Sequence, residues 1–182
     1  MTVQNVASQQ KRFGFSLVEL VIVIVIIGII AAIAIPRVGR GAKGAGESAL
    51  AQDLAVLRNA IELYASQHGG DYPGAKADSE GNAANSAAAF VTQLTMYTGE
   101  DGSTSANRDA AHPYGPYLRK GIPPAPVGVN KGSTDVLMDT TNSPPNVVTA
   151  GGEGWAYNPT TGDIIVNSDA NNDAGTKTYD AY

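Results

Sequence analysis

Lys11-Arg12-Phe13-Gly14-Phe15-Ser16-Leu17-Val18-Glu19-Leu20 joins two unlike segments, a short basic leader and an apolar run that continues to Ile35. Between Phe15 and Ile35 only Ser16, Glu19 and Gly28 are neither strongly apolar nor alanine. A spanning helix needs about 20 apolar residues, so the run has membrane length. Glu19 is out of place in it, because a carboxylate in hydrocarbon costs roughly 2.5–3.5 kcal/mol on insertion scales. Such a residue calls for a partner. A cut between Gly14 and Phe15 would supply one: the new Phe15 ammonium, one helical turn away or on a neighbouring chain.

These residues resemble the type IV pilin and pseudopilin family. The leader ends Lys11-Arg12-Phe13-Gly14, the mature chain begins Phe15-Ser16-Leu17-Val18-Glu19, and Pro36 closes the apolar helix. The resemblance implies a prepilin peptidase that cuts after Gly14 and methylates the Phe15 amino terminus. It also implies assembly roles for Glu19, Gly28 and Pro36. A conventional secretory signal places its apolar region before the cut and loses it, whereas here the apolar run follows the cut and is kept. Lys11 and Arg12 lie on one side of the run and Arg37, Arg40 and Lys43 on the other, so flanking charge leaves orientation open. The resemblance puts the leader in the cytoplasm and everything after Pro36 beyond the bacterial inner membrane, in the periplasm.

The chain has 182 residues, 43% of them hydrophobic, a formal charge of −5 and no cysteine. With part of the apolar content in the anchor, one modest globular domain is expected. Removing Lys11 and Arg12 takes the side-chain charge from −5 to −7. An acidic chain repels nucleic acid, so no nucleic-acid partner is expected. Without cysteine neither a disulfide framework nor a thiolate metal site is available. A small exported domain then needs some other staple.

Four regions follow: a cleaved leader over 1–14, a membrane and filament-core helix over 15–36, a continuation of that helix over 37–68, and a globular domain over 69–182. Gly39, Gly41, Gly44 and Gly46 cost about 1 kcal/mol each in helix propensity, which predicts a soft stretch. Gly39 to Gly44 also fits G-x-G-x-x-G, but a membrane-length helix precedes it where the dinucleotide motif needs a strand. From Glu47 the helix is amphipathic: Leu50, Leu54, Leu57, Ile61 and Tyr64 alternate at four and three residues, one apolar stripe. Gly69-Gly70 ends it and Tyr72-Pro73-Gly74 turns the chain. Ser86 is placed to cap a short helix from Ala87 to Tyr97. Residues 99–113 read as loop. Residues 127–153 read as an irregular insertion with short strands near Val136–Met138 and Val147–Val148. Trp155–Asn158 and Ile164–Asn167 flank Pro159-Thr160-Thr161-Gly162 as a hairpin, with Trp155 and Tyr157 as packing residues. The fold class is α+β, a long N-terminal helix on a small antiparallel sheet.

A second resemblance covers the later blocks. Asn59 to Tyr64 with Gly69-Gly70-Asp71-Tyr72-Pro73, then Tyr114-Gly115-Pro116-Tyr117-Leu118, and Gly154 to Asn167 are similar to major pseudopilins of the type II secretion system. This implies a helical homopolymer, a cytoplasmic ATPase and inner-membrane assembly platform, and minor pseudopilins as partners. The alternative is a type IV pilin in a surface fibre for adhesion, motility or DNA uptake. The insertion departs from the more compact family pattern.

No catalytic constellation is present. His68 and His112 lack metal-motif company, there is no nucleophile elbow or P-loop, and His68 at a helix end reads as a cation complementing the dipole. One motif invites a ligand: Asp169, Asn171 and Asp173 place oxygens at alternate positions before Gly175, and Asp180 follows. Hard cations such as calcium take several such oxygens, and the resemblance implies a calcium loop in this region. The glycine and glutamate of an EF-hand are not at their places.

Overall fold

The computed structural model describes residues 15–172 and 175–182, with the backbone alone described for residues 33–43. It forms two compact units, Met1–Arg40 and Gly41–Tyr182. Helix α1 runs from Leu17 to Gln67, 51 residues. Pro36 and the four glycines lie inside it, so penalties of about 3 kcal/mol for proline and 1 for glycine do not interrupt the helix. One of these glycines has a packing reason. A Cβ on Gly46 would meet Val127 Cγ1 at 3.1 Å, so the start of the insertion rests where Gly46 lacks a side chain.

The periodicity of the second half of α1 is fulfilled. Leu50, Leu54, Leu57, Ile61 and Tyr64 are all buried. They meet Phe90 and Leu94 from α2 (Ala87–Thr95) and Trp155, Tyr157, Ile164 and Val166 from the sheet. Each buried side chain of this size contributes about 1.5–3 kcal/mol. Ser86 caps α2 by accepting Ala89 N–H at 3.2 Å. The helix stops at Thr95, two residues short of Tyr97, because Met96 is already extended.

Tyr97–Thr98 (β1) pairs antiparallel with Thr104–Ser105 (β2). The second strand of this minimal hairpin therefore lies inside the stretch 99–113 expected to be loop. The main sheet has the order β3-β4-β5, with β3 Val136–Met138, β4 Trp155–Tyr157 and β5 Ile164–Val166. The β4–β5 hairpin is antiparallel, Trp155 opposite Val166 and Tyr157 opposite Ile164. Its turn is built by Asn158, whose Oδ1 accepts Thr160 N–H at 2.7 Å. Gly162 has φ 78°, and a Cβ there would fall 2.4 Å from the Tyr72 ring. Both facts demand glycine.

β3 and β4 are parallel, not antiparallel. A parallel pair needs a crossover of a dozen or more residues, and residues 139–154, all but the last within the insertion, supply it. Val147–Val148 is not a strand. Instead Val148 N–H donates to Asn167 Oδ1 and Val148 O accepts from Asn167 Nδ2, both at 2.8 Å. One carboxamide thus takes the place of a strand's peptide group. Trp155 and Tyr157 are fully buried, and their polar tips reach backbone: Trp155 Nε1 donates to Pro123 O at 2.8 Å and Tyr157 Oη to Pro73 O at 3.0 Å.

Candidate functional site

The amino-terminal site begins at Phe15, which is 79% exposed; Gly14 lies outside the described residues. The first turn closes with Leu20 N–H on Ser16 O at 3.2 Å. Glu19 stands in that turn, where a carboxylate complements the free N–H groups and the positive end of the helix dipole. Leu17, Val18, every residue from Leu20 to Ile27, Ile29 and Ile30 are exposed and apolar. They occupy all sides of the helix, not one stripe. A helix hydrophobic all round is one that something else must cover. Beyond its chain neighbours and its own helix backbone, no heavy atom among the described residues lies within 4 Å of where a Gly28 Cβ would be, so packing within this subunit does not demand that glycine. Pro36 lies in the helix, and its side chain is outside the described set. Among the described residues no helix is long and apolar enough to cross a membrane. The expected span continues past Ala32 into residues whose side chains are not described.

The carboxyl-terminal loop is the second candidate. Asp169 is exposed, Asn171 forms a β-bridge with Thr178, and Asp173 lies outside the described residues. Asp180 has one oxygen, Oδ1, that is buried and has no hydrogen-bond partner, a feature that suits a cation. Asn171 does not converge on it. Asp180 lines a cavity with Arg58 and Asp163, whereas Asn171 lines another with Gly128 and Lys131. Among the described residues no three His, Cys, Asp or Glu side chains are grouped to hold a metal. The loop is closed by a residue that alternate spacing passes over. Asn172 Oδ1 accepts Thr176 N–H at 2.9 Å and Lys177 N–H at 3.3 Å.

His68 is not a solvated cation at a helix end. It is buried, stacked on Tyr64 with ring centroids 3.6 Å apart, and faces Tyr114 and Tyr117. Burial pushes the imidazole below its ordinary value against the pull of the Tyr64 and Gly99 backbone. It is held neutral because desolvating a cation costs more than the dipole returns. A strongly perturbed carboxyl in the insertion is Asp139. The Asn146 and Thr141 backbone N–H groups, the Thr141 hydroxyl and the Asn142 amide hold it well below the usual carboxylate range. It organises its own loop.

Residues 9–35 match the family model described as the prokaryotic N-terminal methylation motif. Neither the curated proteins nor the solved structures give a match. The motif is a type IV pilin-like leader. It supports a place in the pilin-like superfamily and implies processing by a prepilin peptidase, methylation and pilus-like assembly.

Proposed function

We propose that this chain is the structural subunit of a type II secretion-like pseudopilus, anchored in the inner membrane and polymerised in the periplasm. The observation that carries the reading is the helix from Leu17 to Ile30, apolar on every side and bearing one carboxylate, Glu19, in its first turn. In a bilayer lipid covers that surface; in a filament other subunits do. Glu19 on one subunit would neutralise the Phe15 ammonium of the next, which makes the bundle selective for processed chains. The work is mechanical, driven by a cytoplasmic ATPase through the assembly platform, with minor pseudopilins as partners. The resemblance of Gly154 to Asn167 and of Asn59 to Pro73 to major pseudopilins favours this over a type IV surface pilin.

Calcium at the carboxyl-terminal loop is part of the proposal through Asp180, whose buried oxygen lacks a donor. Asp169, Asn171 and Asp173 would join it only after a rearrangement, because Asn171 lines a different cavity from Asp180.

The experiment is expression of the full chain with the prepilin peptidase and assembly machinery, followed by shearing and intact-mass analysis. Expected are filaments whose subunit begins at a methylated Phe15. A subunit that retains Met1, or one cut beyond residue 30, overturns the pilin-like reading. Filaments sheared from the outer surface of a wild-type cell, with none confined to the periplasm, favour the surface pilin.

A further inference from the structure

The end of α1 meets the segment 97–117 around a buried imidazole. His68 Nδ1 lies 2.7 Å from Tyr64 O, an acceptor only, so that nitrogen carries the proton. His68 Nε2 lies 3.0 Å from Thr98 Oγ1 and, in the neutral ring, accepts from that hydroxyl. Thr98 is fully buried, and its backbone N–H and C=O pair with Tyr114 at 3.1 and 3.2 Å. Tyr117 closes the ring of contacts, edge-on to Tyr64 and donating its hydroxyl to Gln67 Oε1 at 2.7 Å. A single nitrogen lone pair therefore fixes which way the Thr98 hydroxyl points.

A second proton on His68 changes this arrangement at three places. Nε2 becomes a donor, so Thr98 must turn its hydroxyl away. The remaining acceptor is Tyr117 Oη at 3.5 Å, a poor distance. The new cation is also buried, favoured by the Tyr64 and Gly99 backbone but with no carboxylate in contact among the described residues. The charged groups that act on it from outside are Asp71, which favours the cation, and Lys76, which opposes it. Those two are paired with each other at 2.5 Å, so their effects largely cancel. Asp101 acts on the neighbouring Tyr64. The Tyr64 and Tyr117 rings return part of the cost as cation–π attraction, yet the balance still disfavours the charge.

We propose that His68 is an acid-released latch: its protonation undocks the segment 97–117 from the end of α1 while the β3-β4-β5 sheet stays folded. The one titratable group at the centre of the sheet, Tyr157, is pushed further above its ordinary value by burial, so nothing there titrates in mild acid. Its packing comes from Trp155, Tyr157, Ile164 and Val166, all buried. Histidine is the side chain whose ordinary range spans mild acid. The latch is independent of the filament reading.

The test is amide hydrogen exchange on the full chain at about pH 7.5 and about pH 5, corrected for intrinsic rates. The sole tryptophan, Trp155, is followed by emission in the same samples. Expected is a loss of protection of about tenfold or more across 97–117 in acid, with Trp155 emission and the sheet amides unchanged. In His68→Gln, which keeps a neutral hydrogen-bonding side chain, the pH difference should vanish. Equal loss in His68→Gln, or loss in the sheet together with the segment, overturns the proposal. Should His68→Gln fail to fold, the wild-type imidazole is titrated by NMR. A midpoint that coincides with opening of 97–117 supports the latch, and titration without opening overturns it.

Discussion

Gln93 Oε1 accepts the Gly74 backbone N–H at 2.7 Å, inside the core and nineteen positions away in the chain. The same carboxamide donates from Nε2 to Gly102 O at 2.9 Å and to Lys76 O at 3.2 Å. Gln93 is fully buried, so one side chain of α2 satisfies three backbone groups on two loops. An orphaned buried donor or acceptor costs about 1–3 kcal/mol. Gln93→Leu keeps the volume and removes all three bonds. It should lower unfolding free energy by at least that amount in urea titrations, and a change within error would show that water replaces the amide.

Asp139 gives a prediction about acid. Its carboxyl is held below the ordinary value first by Asn146 N–H at 3.0 Å, then by the Thr141 backbone and hydroxyl and the Asn142 amide. A depressed carboxyl contributes stability above its unfolded value of about 3.9 and loses it as pH falls toward the folded value. Loop 139–146 should therefore resist protease at neutral pH and become susceptible only in strong acid. Asp139→Ala should be nicked in this loop already at neutral pH. Equal cleavage of the two proteins at neutral pH would sink the idea.

Glu19→Leu should insert into the membrane at least as well as wild type, because a charge is removed from an apolar helix. Its filament yield after shearing should fall by an order of magnitude or more, since a neighbour's ammonium then stays unpaired in a low-dielectric bundle. Normal yield would make Glu19 a tolerated passenger.

Calcium is checked by melting. If Asp180 and the preceding loop bind it in the folded form alone, stabilisation is RT ln(1 + [L]/Kd), about 2.7 kcal/mol at a hundred times Kd. The full chain should melt higher in calcium than in chelator, with magnesium a weak substitute because of its stricter octahedral geometry. Asp180→Asn should remove the difference. Identical melting in calcium and chelator would leave Asn172, through Thr176 and Lys177 N–H, as the closure of the loop.

Local patterns were legible directly. The alternation of Leu50, Leu54, Leu57, Ile61 and Tyr64 named the buried face of α1, and every member is buried. Ser86 marked the start of α2, and Pro159-Thr160-Thr161-Gly162 marked the β4–β5 turn. The methylation motif at 9–35 was legible for the same reason, since its parts lie within one helix length of each other. Cap, period and turn rules all act between near neighbours, and near neighbours are what a sequence displays.

Tertiary structure alone decided the rest. The spacing around Val136–Met138 predicts a strand but not its direction. That β3 runs parallel to β4 depends on how residues 139–154 cross over. Val147–Val148 has strand-forming residues, yet it meets the Asn167 carboxamide instead of a strand. His68 at the end of α1 has the address of an exposed cation, and Tyr64, Thr98, Tyr114 and Tyr117 bury it neutral. In each case the outcome is set by a hydrogen-bond or ring partner far along the chain. A polar side chain's energy depends on whether such a partner arrives in the core, and residue spacing carries no record of that.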